Sequence, residues 1–208
     1  PVLSSAASDV YKRQALILNS KLKILRYWYE MMIVDHGFLR LLYNNFHKID
    51  DNMYRSNMPT PQRIKKYKKL GIRTIINLRG GKKDGGWFLE KKACEQNGIE
   101  LVNLVARSRA APDKNMIFKA NAVFNSIKYP ALIHCKSGAD RAGIIAFLFK
   151  VIKSKENPEV AKKQLSLKYL HIKHAKTCIL DAFCDFYVQS YKKTKNPDFI
   201  YWTRHIYK

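Results

Sequence analysis

Short runs of apolar residues alternate with longer amphipathic stretches along this chain of 208 residues. Runs rich in isoleucine, leucine and valine are typical of buried strands, and they predict strands at 53–56, 72–78, 99–105 and 129–133. The amphipathic stretches predict helices at 60–70, 87–96, 113–127, 141–155, 157–170 and 174–193. Strands that alternate with helices predict an α/β fold, with a central, mainly parallel sheet of about four to five strands flanked by helices.

The N-terminal part of the chain carries a helical pattern of its own. Apolar positions from 21 to 46 are spaced for one face of a helix, and Gly37 interrupts them, so two helices are expected. We therefore divide the chain into a helical extension at 15–46 and a domain at 47–208. An aromatic and basic helical face of this kind either packs on the domain or lies on a membrane surface.

The first residues match a sequence of technical origin. Residues 9–14, Asp-Val-Tyr-Lys-Arg-Gln, correspond to one reading frame of a transposon-end sequencing adaptor. We interpret residues 1–14 as a sequencing artefact, with a genuine flexible N-terminus as the alternative, and we exclude them from fold reasoning.

The formal net charge of +23 changes the picture of possible partners. Such a field attracts phosphorylated, anionic substrates or an anionic membrane surface. The lysine-rich composition of an A+T-rich genome would explain the same charge. Because no aromatic or zinc motif accompanies the charge, we expect no specific nucleic-acid partner.

The four cysteines exclude two further classes of protein. Their spacing fits no zinc site, and their number is too small for a disulfide scaffold. Reduced thiols favour a location in the cytoplasm. A peripheral position on a membrane surface is compatible with that location. No apolar run approaches the roughly 20 residues of a membrane-spanning helix. We expect no metal and no cofactor.

The segment 129–152 combines an apolar run, a short polar loop and an apolar helix. Cys135 follows the run, Arg141 closes the loop, and Gly143 lies at the start of the helix. A strand, a tight loop and a helix N-terminus together bind oxyanions through backbone N–H groups. These groups also stabilise a thiolate, which can attack phosphorus, while a planar guanidinium can bind two phosphate oxygens.

Other polar residues are predicted at the same edge of the sheet. Arg79 follows one predicted strand, and Arg109 lies in the loop 106–112 after another. Ligands of open α/β sheets bind outside the carboxyl ends of the strands. Both arginines are therefore candidates for binding an anionic substrate, although loop arginines commonly form surface ion pairs instead.

The loop resembles the His-Cys-x5-Arg signature of the cysteine-dependent protein tyrosine phosphatase superfamily. The chain is most similar to the small dual-specificity branch with its bacterial and atypical members, and residues 53–61 and 71–79 are similar to stretches of the bacterial ones. The resemblance extends over about 35–155. It implies a metal-independent phosphomonoester hydrolase that acts on phosphotyrosine or phosphoserine/threonine proteins, or on phosphorylated small molecules.

The resemblance also implies roles for single residues. Cys135 is the expected nucleophile, Arg141 the phosphate clamp and Asp113 the general acid that protonates the leaving oxygen. An aspartate at that position is equally suited to cap a helix. Asp84 and Asp140 are rival acids.

The remaining loop residues are expected to contact the substrate or order the loop; they are His134, Lys136, Ser137, Gly138, Ala139 and Asp140. Gly138 permits a backbone twist and a close approach of N–H groups to phosphate. A lysine directly after the cysteine, as at Lys136, is similar to the loops of phosphoinositide-directed relatives. An aspartate directly before the arginine, as at Asp140, is similar to the loops of other lipid-phosphate members. An inositol or lipid phosphate is therefore an alternative substrate.

One residue departs from the family pattern. Ala142 stands where the family usually has a serine or threonine whose hydroxyl assists breakdown of the phosphoenzyme. A weakly catalytic module that binds phosphorylated ligands is therefore a second alternative. A rhodanese-like sulfurtransferase, which also uses a loop cysteine, is a third; the arginine that closes the loop and the glycine after it argue against that one.

Overall fold

Five strands form one sheet in the order β1-β2-β5-β3-β4 in the computed structural model, which describes residues 5–173, 176–194 and 198–208. The strands are β1 (His47–Lys48), β2 (Met53–Ser56), β3 (Thr74–Asn77), β4 (Glu100–Asn103) and β5 (Ala131–His134). Strands β2, β5, β3 and β4 are parallel, and only β1 runs antiparallel to its neighbour. The predicted α/β fold with a mainly parallel central sheet is confirmed.

Helices flank this sheet. They are α1 (Ser5–Tyr29), α2 (Leu39–Leu42), α3 (Pro61–Lys69), α4 (Gly85–Gln96), α5 (Lys114–Ser126), α6 (Asp140–Ile152), α7 (Pro158–Ala161), α8 (Ile179–Thr194) and α9 (Phe199–His205). A π-helical turn, Glu30–Val34, continues α1. None of the helices in the described ranges is long and apolar enough to cross a membrane.

Helix α6 forms the centre of the core. Nearly all its side chains are buried, so its apolar residues surround the whole helix instead of forming one stripe. Phe147 of α6 contacts the rings of Phe183, Tyr187 and Phe199, which come from the two C-terminal helices. The aromatic residues of α8 and α9 are therefore part of the core that holds α6 in place.

The structure corrects two of the predicted elements. The predicted helix at 157–170 is instead α7 followed by two short 3₁₀ turns, Lys162–Gln164 and Leu167–Tyr169. Leu170 then adopts a left-handed φ of 63°, which ends the segment. The predicted helix at 174–193 begins only at Ile179, and residues 174–175 lie outside the described residues.

The N-terminal extension packs against the domain. Tyr27 of α1 stacks on Phe88 of α4 with ring centroids 4.8 Å apart, and Glu30 Oε2 accepts a hydrogen bond from the Gly85 backbone at 2.8 Å. The predicted break near Gly37 corresponds to the turn between the π-helical segment and α2. The domain boundaries at 46/47 and the artefact at 1–14 stay predictions; residues 1–4 lie outside the described residues, and 5–14 begin α1.

Candidate active site

The central strand β5 leads directly into the loop that carries the predicted nucleophile. Cys135 is only 2% exposed and follows the completely buried His134. Backbone hydrogen bonds fix the start of the loop on both sides, from Leu78 N to His134 O (2.9 Å) and from Met58 N to Lys136 O (3.2 Å). The sheet therefore determines where the sulfur lies.

Gly138 gives the loop its curvature. Its φ is +77°, and a Cβ atom there would lie 2.7 Å from backbone atoms of Ser56 and Asn57. A side chain is therefore excluded both by the backbone conformation and by space. With this curvature, the Gly138 N–H donates to Cys135 Sγ at 3.2 Å. The loop therefore directs a backbone N–H group towards the sulfur.

Helix α6 begins without a side-chain cap. By contrast, side chains cap helices α3, α4, α5 and α9 through Thr60, Asp84, Asp113 and Asp198 respectively. The first N–H groups of an α-helix have no partner inside the helix and carry partial positive charge. At α6 they adjoin the Cys135 loop, which is the arrangement suited to binding a phosphate.

Arg55, which the sequence did not single out, lies completely buried beneath this loop. Its Nη2 donates to the carbonyl oxygens of Gly138 (2.8 Å) and Ala139 (2.9 Å), and its Nη1 donates to two oxygens of Gln164. The guanidinium also lies 4.1 Å from the ring centroid of Tyr169. Burial lowers the pKa of Arg55 to about 10, so the group stays charged at neutral pH.

Arg141 and Arg109, both predicted to bind an anionic substrate, lie at the same cavity. Both line a cavity of about 470 Å³ with the rest of segment 106–110. Among the described residues, the ion pairs formed by the loop involve Lys136 and Asp140. The Arg141 guanidinium therefore faces the cavity without a carboxylate partner in the described part of the chain.

Lys136 and Arg79 are paired with a residue that the sequence did not indicate. Asp35, from the N-terminal extension, lies 3.2 Å from Lys136 Nζ and 2.9 Å from Arg79 Nη1. It also pairs with the buried Arg40 at 3.0 Å. Arg79 has a second carboxylate partner, Asp84, at 3.1 Å. Arg79 is thus held in an ion-pair cluster at the rim of the site.

This cluster determines the ionisation state of the Asp35 carboxyl group. Burial by itself raises the pKa of the carboxyl, but the charges of Arg79, Arg40 and Lys136 outweigh burial and lower it overall. Asp35 is therefore an anion at neutral pH. It lies beside Lys136, a loop cation that the sequence predicts to contact the substrate.

His134, the last residue of β5, is buried beside Glu90 of α4. Its Nε2 lies 2.5 Å from Glu90 Oε1, and both side chains are completely buried. Glu90 Oε2 accepts a further hydrogen bond from Asn77 Nδ2 at 2.8 Å. His134 therefore connects the end of β5 to α4.

Asp140 takes part in a second buried network. Its Oδ1 lies 2.8 Å from Nδ1 of His171, whose Nε2 lies 2.8 Å from Oδ2 of Asp181 in α8. The hydrogen bond to Asp140, together with that to Asp181, raises the pKa of His171 despite its burial. Asp140 is thus engaged in holding the start of α6, which weakens its candidacy as the acid.

Asp113 is placed by the structure as the N-cap of α5, where its carboxylate accepts from Met116 N at 2.8 Å. It is exposed and lines a cavity of about 240 Å³ in which no residue of the Cys135–Arg141 loop takes part. This cavity shares Arg107 and Ala110 with the cavity of Arg141. The role of Asp113 as general acid stays a prediction.

The remaining loop residues serve mainly to fix the backbone. Ser137 O accepts from Asn45 Nδ2 at 3.0 Å, and Ser137 Oγ lies 3.4 Å from Ala139 N. Ala142 is completely buried in α6. In the described residues there is no group of three or more His, Cys, Asp or Glu side chains that could hold a metal ion.

The overlooked residues share one property: their partners are distant in sequence. Arg55 forms hydrogen bonds with residues more than 80 positions away in the sequence, and Asp35 pairs with Arg79, which is 44 positions away. One signal was available for Arg55, since a charged residue inside a short strand is unusual and requires a buried partner. No comparable signal marked Asp35.

Comparisons with known proteins agree with this geometry. Residues 44–178 match the family described as DSP-PTPase phosphatase fused to NAD+ kinase. The inositol diphosphatase DSP3 of Arabidopsis thaliana is 24% identical over 172 residues, covering 73% of this chain and 82% of the relative.

Two solved structures share the fold. TpbA of P. aeruginosa has a TM-score of 0.57 at 16% identity, over 69% of this chain and 84% of that one. The core catalytic domain of the PP-IP phosphatase SIW14 of S. cerevisiae has a TM-score of 0.52 at 18% identity, over 74% and 93% of the two chains. This chain therefore belongs to the DSP-PTPase family that is described as fused to NAD+ kinase, within the cysteine-dependent tyrosine and dual-specificity phosphatase superfamily.

Proposed function

We propose that the chain hydrolyses phosphomonoesters with Cys135 as the nucleophile. The observation that carries this proposal is the Gly138 N–H donating to Cys135 Sγ at 3.2 Å, where β5 ends and the uncapped helix α6 begins. These donors stabilise the thiolate before the reaction and the phosphoryl oxygens during it. Membership of a phosphatase family supports the same reaction.

In the first step, the Cys135 thiolate attacks phosphorus and forms an S–P bond while the bond from phosphorus to the leaving oxygen breaks. Arg141 binds two equatorial oxygens, since its fork matches their spacing. The leaving oxygen takes a proton from a carboxyl group, for which Asp113 is the candidate. In the second step, water attacks phosphorus, the S–P bond breaks, and the carboxylate takes the proton from water.

Proteins with phosphotyrosine, phosphoserine or phosphothreonine and phosphorylated small molecules are the proposed substrates. A second candidate class is inositol or lipid phosphates. Lys136 favours the second class because a lysine directly after the proposed nucleophile offers a further cation to a multiply charged substrate, and a relative named as an inositol diphosphatase supports it. A multiply charged substrate would displace the Asp35 carboxylate and pair with Lys136 and Arg79 in its place.

A panel of purified substrates tests the proposal: p-nitrophenyl phosphate, phosphotyrosine and phosphoserine peptides, and inositol phosphates, with phosphate release as the readout. Cys135→Ser should abolish release and still bind vanadate, whereas Cys178→Ser, at an exposed free thiol, should retain full activity. Thiocyanate formation from thiosulfate and cyanide without phosphate release would instead establish a sulfurtransferase.

The buried Ala142 bears on the second step of the reaction. Because it offers no hydroxyl to assist breakdown of the phosphoenzyme, pre-steady-state kinetics should show a stoichiometric burst of leaving group before slower turnover. A burst with no steady rate on any substrate of the panel would favour a module that binds phosphorylated ligands.

A further inference from the structure

Helix α1 exposes a narrow stripe of large apolar side chains. Leu18, Leu22, Leu25 and Tyr29 are 59%, 55%, 66% and 59% exposed. Their spacing of four, three and four residues places them on one face of the helix, over a length of roughly 16 Å. Apolar side chains in such a regular row need a covering surface more than scattered exposed leucines do.

The opposite face of the same helix is already in use. Tyr27 stacks on Phe88, and Met31 in the following turn is 3% exposed. Glu30 is fixed by its hydrogen bond from the Gly85 backbone. The domain therefore holds α1 by one face and leaves the stripe pointing outwards.

The chain that follows α1 extends the apolar surface. The residues from the π-helical turn to the end of α2 include further exposed apolar side chains, namely Ile33, Val34, Phe38, Leu39, Leu41 and Leu42. Leu42 is 87% exposed, which is unusual for a leucine in ordered structure. The stripe and these residues together are called the apolar N-terminal surface.

Around this surface the acidic side chains are paired, whereas lysine side chains are exposed. Both acidic residues of the segment 18–42 are paired: Glu30 with Arg26, and Asp35 with three cations of the site rim. Lys21 and Lys23 are exposed beside the stripe, on either side of Leu22. An apolar stripe bordered by lysines, with the acidic side chains neutralised, is the pattern of a helix that lies in the headgroup region of a membrane.

We propose that the apolar N-terminal surface docks on an anionic lipid bilayer. The leucines of the stripe enter the boundary between headgroups and acyl chains, while Lys21 and Lys23 contact the anionic headgroups. The net charge of +23 supports this partner, because a negative bilayer surface attracts the whole domain. A second copy of the chain is a poor occupant, since it would bring the same lysines and the same net charge to the contact.

Vesicle flotation with the full chain tests the proposal. Wild-type protein should float with phosphatidylcholine vesicles that contain roughly one third phosphatidylserine, and release from them should follow rising salt concentration. Vesicles of phosphatidylcholine alone should retain much less protein. Equal binding to the two compositions, or no binding to either, would overturn the proposal.

A matched pair of variants localises the contact. Leu22→Asp should weaken binding to the anionic vesicles by about tenfold or more, because a leucine anchor is replaced by a charge that the surface repels. Leu70, also 55% exposed, lies at the end of α3, and Leu70→Asp should bind within about twofold of wild type. Equal loss in the two variants would refute docking through α1.

Self-association is checked in the same samples without lipid. Analytical ultracentrifugation should give a monomer for wild type, and thermal unfolding should show that both variants keep the wild-type midpoint within a few degrees. A wild-type dimer that Leu22→Asp dissociates would show that a second copy covers the stripe, and it would overturn the membrane proposal.

Discussion

The buried guanidinium of Arg55 donates a hydrogen bond of 2.8 Å to the carbonyl oxygen of Gly138. Gly138 in turn points its N–H at Cys135 Sγ. One residue of the loop therefore connects, through its two flanking peptide groups, a charge in the core to the proposed nucleophile. Arg55 draws the carbonyl oxygens of Gly138 and Ala139 inward, which fixes the orientation of the peptide groups at the end of the loop.

Arg55→Lys should disable the site and weaken the fold. Lysine cannot reach the four oxygens that the guanidinium binds, so buried acceptors lose their donors and the free energy of unfolding should fall by about 2 kcal/mol. Loss of loop geometry should lower kcat roughly a hundredfold. Urea unfolding and phosphatase kinetics measure the two effects. Arg73→Lys, at an exposed arginine, is the control, and an unchanged kcat in Arg55→Lys would contradict the positioning role.

Arg141→Lys should lose both substrate affinity and turnover. A point charge cannot bind two phosphate oxygens at once, so kcat/KM should fall by roughly a hundredfold or more. Inhibition by vanadate should weaken in parallel, since the oxygens of vanadate take the same positions as the phosphate oxygens. A variant that keeps wild-type vanadate affinity would show that Arg141 lies outside the phosphate site.

Asp35→Asn should lower KM for multiply phosphorylated substrates. Removing the carboxylate frees Lys136 and Arg79 for the additional phosphates of the substrate. The same change leaves the buried Arg40 without its carboxylate partner, so the unfolding free energy should fall by roughly 3 kcal/mol. The KM values for inositol hexakisphosphate and for p-nitrophenyl phosphate show whether the effect is confined to the multiply phosphorylated substrate, and urea unfolding measures the loss of stability. Asp51→Asn, at a 93% exposed carboxylate, is the control. A rise in KM for the inositol phosphate would refute exchange with Asp35.

His171 should make stability depend on pH. Its pKa is raised in the folded state by its hydrogen bonds to Asp140 and Asp181, so protonated His171 stabilises the fold. That contribution is fully present below the pKa of an unfolded histidine, about 6.5, and it is lost as pH rises through the higher folded value. His171→Gln should therefore cost roughly 2 kcal/mol at pH 6 and less at pH 9 in urea unfolding.

The comparison for His171 is His205→Gln, at an exposed histidine of α9. This variant should follow the wild-type pH dependence. A penalty for His171→Gln that is the same at pH 6 and pH 9 would show that the network is neutral.

Asp113→Ala distinguishes an acid from a helix cap. A general acid matters most for poor leaving groups, so alkyl phosphates should slow at least tenfold more than p-nitrophenyl phosphate. Loss of the cap alone costs about 1 kcal/mol of stability and would slow all substrates alike. Asp198→Ala, which removes the N-cap of α9, provides that reference. Equal slowing of alkyl and aryl phosphates would remove Asp113 from the mechanism.

Local sequence patterns predicted the parts of the structure that depend on local physics. The run around Ile75 predicted β3, the amphipathic stretch at 60–70 predicted α3, and the apolar stretch after Arg141 predicted α6. The loop at the end of β5 followed because a strand, a glycine and a helix lie in immediate succession.

The rest of the site depends on contacts that no local pattern contains. Segment 157–170 reads as helical, yet Gln164 and Tyr169 contact Arg55, and the chain bends into 3₁₀ turns to place them there. Strand β1 has only two residues and so shows no periodicity. Asp35 acquires its role only when α1 packs on α4 and brings it above Lys136.

The position of β5 in the middle of the sheet has a mechanical consequence. Ala131–His134 is paired on both sides, to β2 and to β3, so its amides can exchange with solvent only when neighbouring strands separate. The rim contributors, Asp35 and segment 106–110, belong to peripheral parts of the chain. Substitutions at the rim can therefore alter which anion is accepted while the anchor of the nucleophile keeps its rigidity.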